Sequence, residues 1–134
     1  MKYVCEMLQI DFPIIQGGMG NISNAQLTAA VSEAGGLGTI GCGTMTPSEV
    51  EEIILQTKEI TDKNFAINIA INVSPFTEEL IDLVIKHNVP VVSLSAGNPV
   101  PFIAKLHEHG VIVIALVASV KHAQKPEAAG VDIR

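Results

Sequence analysis

Short apolar runs alternate with amphipathic segments along most of this chain. Five such runs lie at residues 13–16, 37–40, 65–69, 91–94 and 111–115, and each starts about 25 residues after the previous one. This spacing fits one strand followed by one helix, and strands that read as continuous apolar runs are typical of buried parallel sheets. The pattern therefore predicts an α/β protein with five successive strand–helix units and a sixth strand starting near Val131.

The amphipathic segments carry helix start signals. In two of them a hydroxyl residue is followed three positions later by Gln or Glu, which is the capping-box pattern, and in two of them a proline follows the capping residue. Pro126 lies inside the last predicted helix, where a proline costs about 3 kcal/mol, so either that helix is short or the segment is disrupted. We expect helices to begin at Ser23, Thr46, Thr77, Asn98 and Ser119.

Two architectures fit this order of elements. A doubly wound open sheet can be built from five strands, whereas a (β/α)8 TIM barrel needs eight strands and typically about 250 residues. The length of 134 residues favours the open sheet. The residues at the ends of the strands favour the barrel.

Composition narrows the class of protein. The longest unbroken apolar stretch, residues 111–118, is far shorter than the about 18 residues of a membrane span, and the first residues lack the apolar region of a signal peptide, so we expect a cytoplasmic protein. The net charge is −6 and the eight basic residues are scattered, which predicts no nucleic-acid surface. Cys5 and Cys42 lack the spacing of a metal or redox pair, so we expect two reduced thiols and no metal site.

Ligands of parallel α/β folds bind at the carboxyl ends of the strands. After the first run comes the turn Gln16, Gly17, Gly18, Met19, in which glycines allow the backbone to approach a ligand closely, and the helix that follows offers an N-terminus suited to an anion. The Rossmann glycine spacing is absent. The turn is either a ligand-binding loop or only a tight connection.

The third run separates two kinds of side chain. Isoleucines occupy one set of alternating positions, and Ala66, Asn68 and Ala70 occupy the other. An unpaired buried amide costs about 1–3 kcal/mol, so Asn68 needs a partner. That partner is either the edge of a planar ligand with donors and acceptors or a neighbouring loop of the protein.

The fourth run ends in the small residues Ser95, Ala96 and Gly97, which leave room for a ligand above the sheet. The four histidines lie on predicted helices, which face outward in such folds. No base or nucleophile stands at a strand end, so we expect no catalytic residue in this chain.

Several of these segments together resemble the nitronate monooxygenase family, formerly called 2-nitropropane dioxygenases, whose superfamily includes the flavin-dependent enoyl-acyl-carrier-protein reductases. The likeness is carried, in order along the chain, by residues 12–19, 33–38, 68, 74–76 and 96–99. It implies a TIM barrel that holds FMN, with residues 1–134 forming the N-terminal part of one FMN-binding domain and about the first five of its strand–helix units.

The resemblance also implies roles for individual residues. Gln16, Gly17, Gly18 and Met19 would lie against the flavin ring, and Asn68 would hydrogen-bond it. The substrate pocket would be lined by Ser95, Ala96 and Gly97. The family's catalytic histidine, in a Glu-Ala-Gly-Gly-His type motif, and the glycine-rich strands that hold the FMN phosphate would follow beyond Val131.

The implied activity is the oxidation of alkyl nitronates with O2. The alternative is the reduction of an enoyl thioester with a nicotinamide donor, and in both cases the substrate is a small molecule. Two readings of another class stay open: a non-catalytic fragment that self-associates through exposed strand edges, or a small flavin-binding module with the phosphate at residues 17–20.

Overall fold

Four parallel strands form the sheet of the computed structural model, which describes residues 2–134. Within these residues the six α-helices lie between and beyond the strands in chain order. The strands are β1 (Gly38–Gly41), β2 (Phe65–Ala70), β3 (Val91–Ser95) and β4 (Ile112–Ala115). The helices are α1 (Lys2–Leu8), α2 (Ala25–Glu33), α3 (Pro47–Ile60), α4 (Thr77–Lys86), α5 (Val100–Glu108) and α6 (Val120–Ala128).

The order of strands across the sheet is the order along the chain, β1-β2-β3-β4. A doubly wound sheet reverses its strand order at a switch point, whereas a barrel adds each strand beside the last one. The described sheet has no reversal. Its topology is therefore that of consecutive barrel strands.

The prediction of five strands needs a correction at the first run. Ile15 makes only an isolated bridge to Leu37, with the Gln16 N–H donating to the Leu37 carbonyl at 3.0 Å and the Leu37 N–H donating to the Ile14 carbonyl at 2.9 Å. The Ile14 N–H, which could extend this pairing, donates instead to the Phe12 carbonyl at 2.7 Å, and the glycine turn begins directly after the bridge. The segment occupies the place of a first strand without forming one.

A similar bridge marks the other edge of the sheet. Ile114 pairs with Ile133, and the Ala115 N–H donates to the Ile133 carbonyl at 2.8 Å. This parallel pairing lies two residues beyond Val131, where the sequence predicts the start of a sixth strand. Strand-like pairing thus continues on both sides of the four strands.

The two faces of the sheet pack differently. Ile67 and Ile69 of β2 lie in the large core between sheet and helices, as their alternation predicts. Ala66 faces the opposite side and joins a smaller cluster with Leu8 and Val91. Because Leu8 is fully buried at the end of α1, this helix covers the amino ends of the strands on the inner face. Helix α1, seven residues long, is not among the helices predicted from the sequence.

Several helix starts are confirmed. Thr46 and Glu49 form the capping box of α3, with the Thr46 N–H donating to the Glu49 carboxylate at 2.8 Å. The Ser119 hydroxyl caps α6 by accepting the His122 N–H at 3.2 Å. Helix α4 begins at Thr77, as predicted.

Two starts are displaced. Asn24, not Ser23, caps α2, and its Oδ1 accepts the Leu27 N–H at 3.0 Å. Ser23 is fully buried and its hydroxyl serves a different segment, so it is not free to cap the helix. Helix α5 begins at Val100, later than predicted, and Asn98 accepts the Val100 N–H at 3.2 Å from outside the helix.

Helix α6 continues through its proline. Pro126 is buried in the last turn of this nine-residue helix. The hydrogen bond that a proline removes is the one to the carbonyl four residues earlier, here that of the exposed His122, which water can reach. No helix within residues 2–134 has both the length and the apolar character needed to cross a membrane.

Candidate functional site

The glycine turn and Asn68 lie in direct contact at the carboxyl end of the sheet. A Cβ added to Gly18 would stand 2.7 Å from the Asn68 Cβ and 3.3 Å from the Gly41 Cα. The absence of a side chain at residue 18 is therefore what allows the turn to rest on β1 and β2. The sequence analysis singled out both residues separately, and the fold brings them together.

Ser23 fixes the turn to the end of β1. Its hydroxyl accepts the Met19 N–H at 2.7 Å and the Gly41 N–H at 3.0 Å, and it donates to the Gly20 carbonyl at 3.4 Å. Gly41 has no room for a side chain, since an added Cβ would lie 2.4 Å from the Gly20 nitrogen. One buried serine and one strand glycine thus hold the turn in place.

Gln16 is committed to the protein backbone. Its Oε1 accepts the Thr39 N–H at 3.0 Å, and its Nε2 donates to the Thr39 carbonyl at 3.2 Å and to the Gly17 carbonyl. The side chain thereby bonds both backbone groups of Thr39, as a neighbouring strand would, at the point where the first run no longer pairs with β1. Its position beside the turn fits the prediction, but its amide orients the turn.

Asn68 projects from the middle of β2 toward β3. Its Nδ2 lies 3.0 Å from the Ser93 hydroxyl, 3.3 Å from the Ser93 carbonyl and 3.4 Å from the Ser95 hydroxyl. A carbonyl can only accept, so the contact with the Ser93 carbonyl identifies Nδ2 as the atom that faces β3. The amide nitrogen therefore has its partners within the sheet, while Oδ1 accepts no hydrogen bond from residues 2–134.

The inner face of the sheet changes from apolar to polar toward this end. Ala66 and Val91 are paired in register near the amino ends, and Gly41, Asn68 and Ser93 share a register further along. The apolar layer joins the cluster under α1, while the next layer carries an amide and a hydroxyl. Thr39 is in register with Ala66 but is buried, whereas Asn68 and Ser93 lie nearer the carboxyl ends, where a ligand could reach them.

Backbone donors complete the arrangement. The N–H groups of Gly17 and Gly18 have no hydrogen-bond partner among residues 2–134, and an added Cβ at Gly17 would meet nothing within 4 Å. The turn thus offers donors on an open side, and Asn68 offers an acceptor beside it. Such a set matches a planar heterocycle whose edge both accepts and donates.

The expected anion site at a helix N-terminus is wrong. A 3-10 turn, Gly20–Ile22, follows the glycine turn, and α2 begins only at Ala25. One of its first N–H groups, that of Leu27, is capped by the Asn24 side chain. The N-terminus of the nearest helix is therefore displaced from the glycines and partly capped.

The segment after β3 is held in a strained shape. Ala96 has a φ of +51°, which costs a residue with a side chain roughly 1–2 kcal/mol. Its carbonyl accepts the Asn72 N–H at 3.0 Å, and Gly97 packs against Ile71, whose Cβ would lie 2.7 Å from a Cβ at residue 97. Together with Ser95, these residues form the side of the candidate site nearest β3.

The titratable side chains lie elsewhere. His87 Nε2 is 2.8 Å from a Glu51 oxygen, and this contact is the main reason why the pKa of that carboxyl is lowered. The Cys42 thiol, buried just after β1, has its pKa raised to about 12 by burial. His107 lies on α5 and pairs with Asp132 at 2.8 Å. None of these groups faces the glycine turn.

Comparison with known proteins agrees with this geometry. The profile of the nitronate monooxygenase family matches residues 2–79. The chain belongs to the nitronate monooxygenase family.

Two sequence relatives illustrate its range. A (3aS,4S,5R,7aS)-5-hydroxy-7a-methyl-1-oxo-octahydro-1H-indene-4-carboxyl-CoA dehydrogenase of Rhodococcus jostii is 39% identical over 95% of this chain and 36% of the relative. A probable nitronate monooxygenase of Staphylococcus saprophyticus is 33% identical over 97% of this chain and 46% of the relative. The chain thus spans less than half the length of these relatives.

Solved structures confirm the predicted fold class. FabK from Thermotoga maritima superposes with a TM-score of 0.94 at 45% identity, over 97% of this chain and 42% of that one. A nitroalkane oxidase from Streptomyces ansochromogenes gives a TM-score of 0.87 at 25% identity, over 96% and 46%. The four strands and their helices are therefore a part of the TIM-barrel fold of this family.

Sequence reasoning missed the residues that assemble the site. Ser23 was assigned to a helix cap, and Gly41 and Ser93 were not considered. One signal was available: Ser93 and Ser95 alternate in the fourth run as Asn68 and Ala70 do in the third. Adjacent parallel strands place such positions side by side.

Proposed function

We propose that this chain forms the ring-binding side of an FMN-dependent oxidoreductase. The observation that carries the proposal is the contact of Gly18 with Asn68 beneath two free backbone donors. Gly17, Gly18 and Met19 would lie along the flavin ring, and the Asn68 Oδ1 would accept a hydrogen bond from its edge. Gln16 would keep the turn in position through Thr39.

The cofactor, when bound, supplies two-electron redox chemistry. The residues described here bind and orient. Ser23 and Gly41 hold the turn rigid, and the hydrogen bonds from Asn68 to Ser93 and Ser95 fix the direction of its free oxygen. A preorganised site of this kind spends little binding free energy on ordering its own groups.

Two substrate classes are candidates for the whole protein. Oxidation of alkyl nitronates with O2 is supported by the family and by the staphylococcal relative. Reduction of an enoyl thioester is supported by the likeness to FabK and by the relative whose substrate is a CoA thioester. In both, Ser95, Ala96 and Gly97 would border the substrate.

Asn68→Ala tests the cofactor site. This variant keeps the Cβ that touches Gly18 and removes only the amide, so we expect FMN affinity to fall about tenfold, as for one hydrogen bond to the ring. Asn64→Ala is the matched control, because Asn64 donates to the Leu8 carbonyl at the opposite end of the same strand. Equilibrium titration of the full protein, followed by flavin fluorescence, measures both affinities.

Equal FMN affinity in the Asn68 variant and the wild type would refute the proposed role. The substrate class is settled separately on the flavin-loaded protein. O2 consumption with a nitronate supports the first candidate, and oxidation of a nicotinamide with an enoyl thioester supports the second. Neither reaction in a protein that retains FMN would refute both.

A further inference from the structure

A second concave surface lies beside the candidate site, and we call it the α6 cleft. It is lined by residues 96–99, residues 116–118 and one side of α6, and it has a volume of about 670 Å³. Clefts that bind small organic ligands typically measure about 300–1,000 Å³. Its size thus suits a ligand larger than a simple nitronate.

The charge of the α6 cleft is opposite to that of the chain. Lys121, His122 and Lys125 line it, and no Asp or Glu does, although the whole chain carries a net charge of −6. Lys86 and Lys105 are paired with carboxylates at 2.9 and 2.7 Å. Within residues 2–134, Lys121 and Lys125 have no such partner, so their charges are available to an anion.

The α6 cleft also has apolar lining residues. Leu116 is 57% exposed, and Val117, Ala118 and Pro99 lie beside it. An exposed apolar surface next to cationic side chains fits a ligand with an uncharged chain that ends in an anion. Phosphate esters are the common anions of this kind, and lysine binds them as a point charge.

The α6 cleft adjoins the side of the candidate site that is nearest β3. The Ser95 hydroxyl contacts Asn68, and the next residue, Ala96, already lines the α6 cleft. The strained turn at Ala96 is held by its hydrogen bond from Asn72, so this junction is fixed. A long ligand bound above Asn68 that extends past Ser95 would therefore enter the α6 cleft.

We propose that the α6 cleft binds the phosphate-bearing arm of a thioester substrate. The uncharged arm lies along Leu116 and Val117, and Lys121 and Lys125 contact its phosphate groups. This inference rests on the proposed function and selects between its two candidates, because an alkyl nitronate has neither the arm nor the phosphate. It assigns a binding role to a helix outside the glycine turn.

The test compares two thioesters with the same reactive end. Crotonyl-CoA carries phosphates, whereas crotonyl-N-acetylcysteamine keeps the thioester and lacks them. In the full flavin-loaded protein, we expect the double variant K121Q/K125Q to raise KM for crotonyl-CoA about tenfold with little change in kcat. KM for crotonyl-N-acetylcysteamine should stay the same.

The matched control is K63Q. Lys63 is an exposed lysine that precedes β2, at the opposite end of the sheet from the α6 cleft, and it has no ion pair with residues 2–134. It should leave both KM values unchanged. Added salt should raise the crotonyl-CoA KM of the wild type and of K63Q, and raise it less in K121Q/K125Q, since ionic contacts are screened.

Direct binding separates this inference from the proposed function. Calorimetric titration with CoA needs no turnover, and equal CoA affinity in the wild type and K121Q/K125Q would refute the inference while leaving FMN binding intact. Loss of FMN, or a raised KM for NADPH alone, in K121Q/K125Q would assign the lysines to another phosphate and overturn it too. A wild type that binds CoA through these lysines but no flavin would refute the proposed function only.

Discussion

The contact between the glycine turn and the sheet can be tested by adding one methyl group at Gly18 and, as a control, at its neighbour Gly17. In Gly18→Ala the new Cβ would lie 2.7 Å from the Asn68 Cβ, about 0.7 Å short of the 3.4 Å at which ordinary contact begins. The atom it meets belongs to the strand-fixed base of a side chain, and the Gly41 Cα stands 3.3 Å away on the other side. The turn must therefore move away from the sheet.

The expected cost follows from this overlap. Overpacking of a fixed site by one methyl group costs about 1–3 kcal/mol. Gly17→Ala is the matched control, because nothing lies within 4 Å of its Cβ and its φ is not in the left-handed region. An alanine there should change the free energy of unfolding little, or raise it by about 0.4–1 kcal/mol by restricting the unfolded chain.

Urea unfolding of both variants measures this difference, and FMN titration measures its effect on the site. We expect Gly18→Ala to lose stability and to bind FMN at least about tenfold more weakly, since a loss of 1.4 kcal/mol is tenfold in affinity. Gly17→Ala should keep both properties near those of the wild type. Equal behaviour of the two variants would show that contact with Asn68 does not position the turn.

Three further changes probe the scaffold. Burial raises the pKa of Cys42 to about 12, so the folded protein disfavours the thiolate. The free energy of unfolding should therefore fall as pH rises above about 8.5, the pKa of a cysteine in the unfolded chain. A thiol reagent should modify Cys5 in the native protein and Cys42 only after unfolding, and rapid modification of both would contradict this. Ala96→Gly removes a side chain at a positive φ and should not lower the stability of the protein. Ala104→Gly, in the exposed middle of α5, should lower the free energy of unfolding by about 1 kcal/mol. Thermal melts that rank the two variants the other way would refute backbone strain at Ala96. Thr46→Ala should cost about 1 kcal/mol in urea unfolding by removing the capping box, and an unchanged midpoint would exclude that role.

The repeat of strands and helices could be predicted because strands of a parallel sheet are buried on both faces and therefore consist of continuous apolar runs. Most residues of runs such as 65–69 and 91–94 pack against helices or the other strands, so periodicity alone locates these strands. The first run failed because its pairing depends on a neighbour. The bond from Ile14 to Phe12 and the glycine turn limit it to one bridge, which no count of apolar residues reveals.

The candidate site was predicted in its parts and not in its assembly. Asn68 was identified because an amide among alanines and isoleucines is conspicuous. Ser23 was misassigned because a serine before a helix satisfies the local capping rule, while its actual partners, Met19 and Gly41, depend on tertiary contact. A side chain that bonds two distant segments does not alter the hydrophobic periodicity of either segment, so the sequence pattern does not reveal it.

The α6 cleft illustrates the same limit. Lys121 and Lys125 appear as ordinary surface charges on an amphipathic helix, four residues apart. Whether these two lysines line a cleft depends on which side of α6 faces the segments after β3 and β4. That orientation depends on how α6 packs, with Pro126 as its buried residue, and spacing along the chain does not specify it.

The strands of the described sheet lie in the same order as in the chain, and this order has a consequence for folding during translation. Each strand pairs with the one made just before it, and no later strand has to insert between two earlier ones. Chains leave the ribosome amino end first, at about 5–20 residues per second, which is slow compared with the docking of a helix or strand. Every newly emerged unit would find its final neighbour already present, so this sheet is suited to growing at one edge while translation continues.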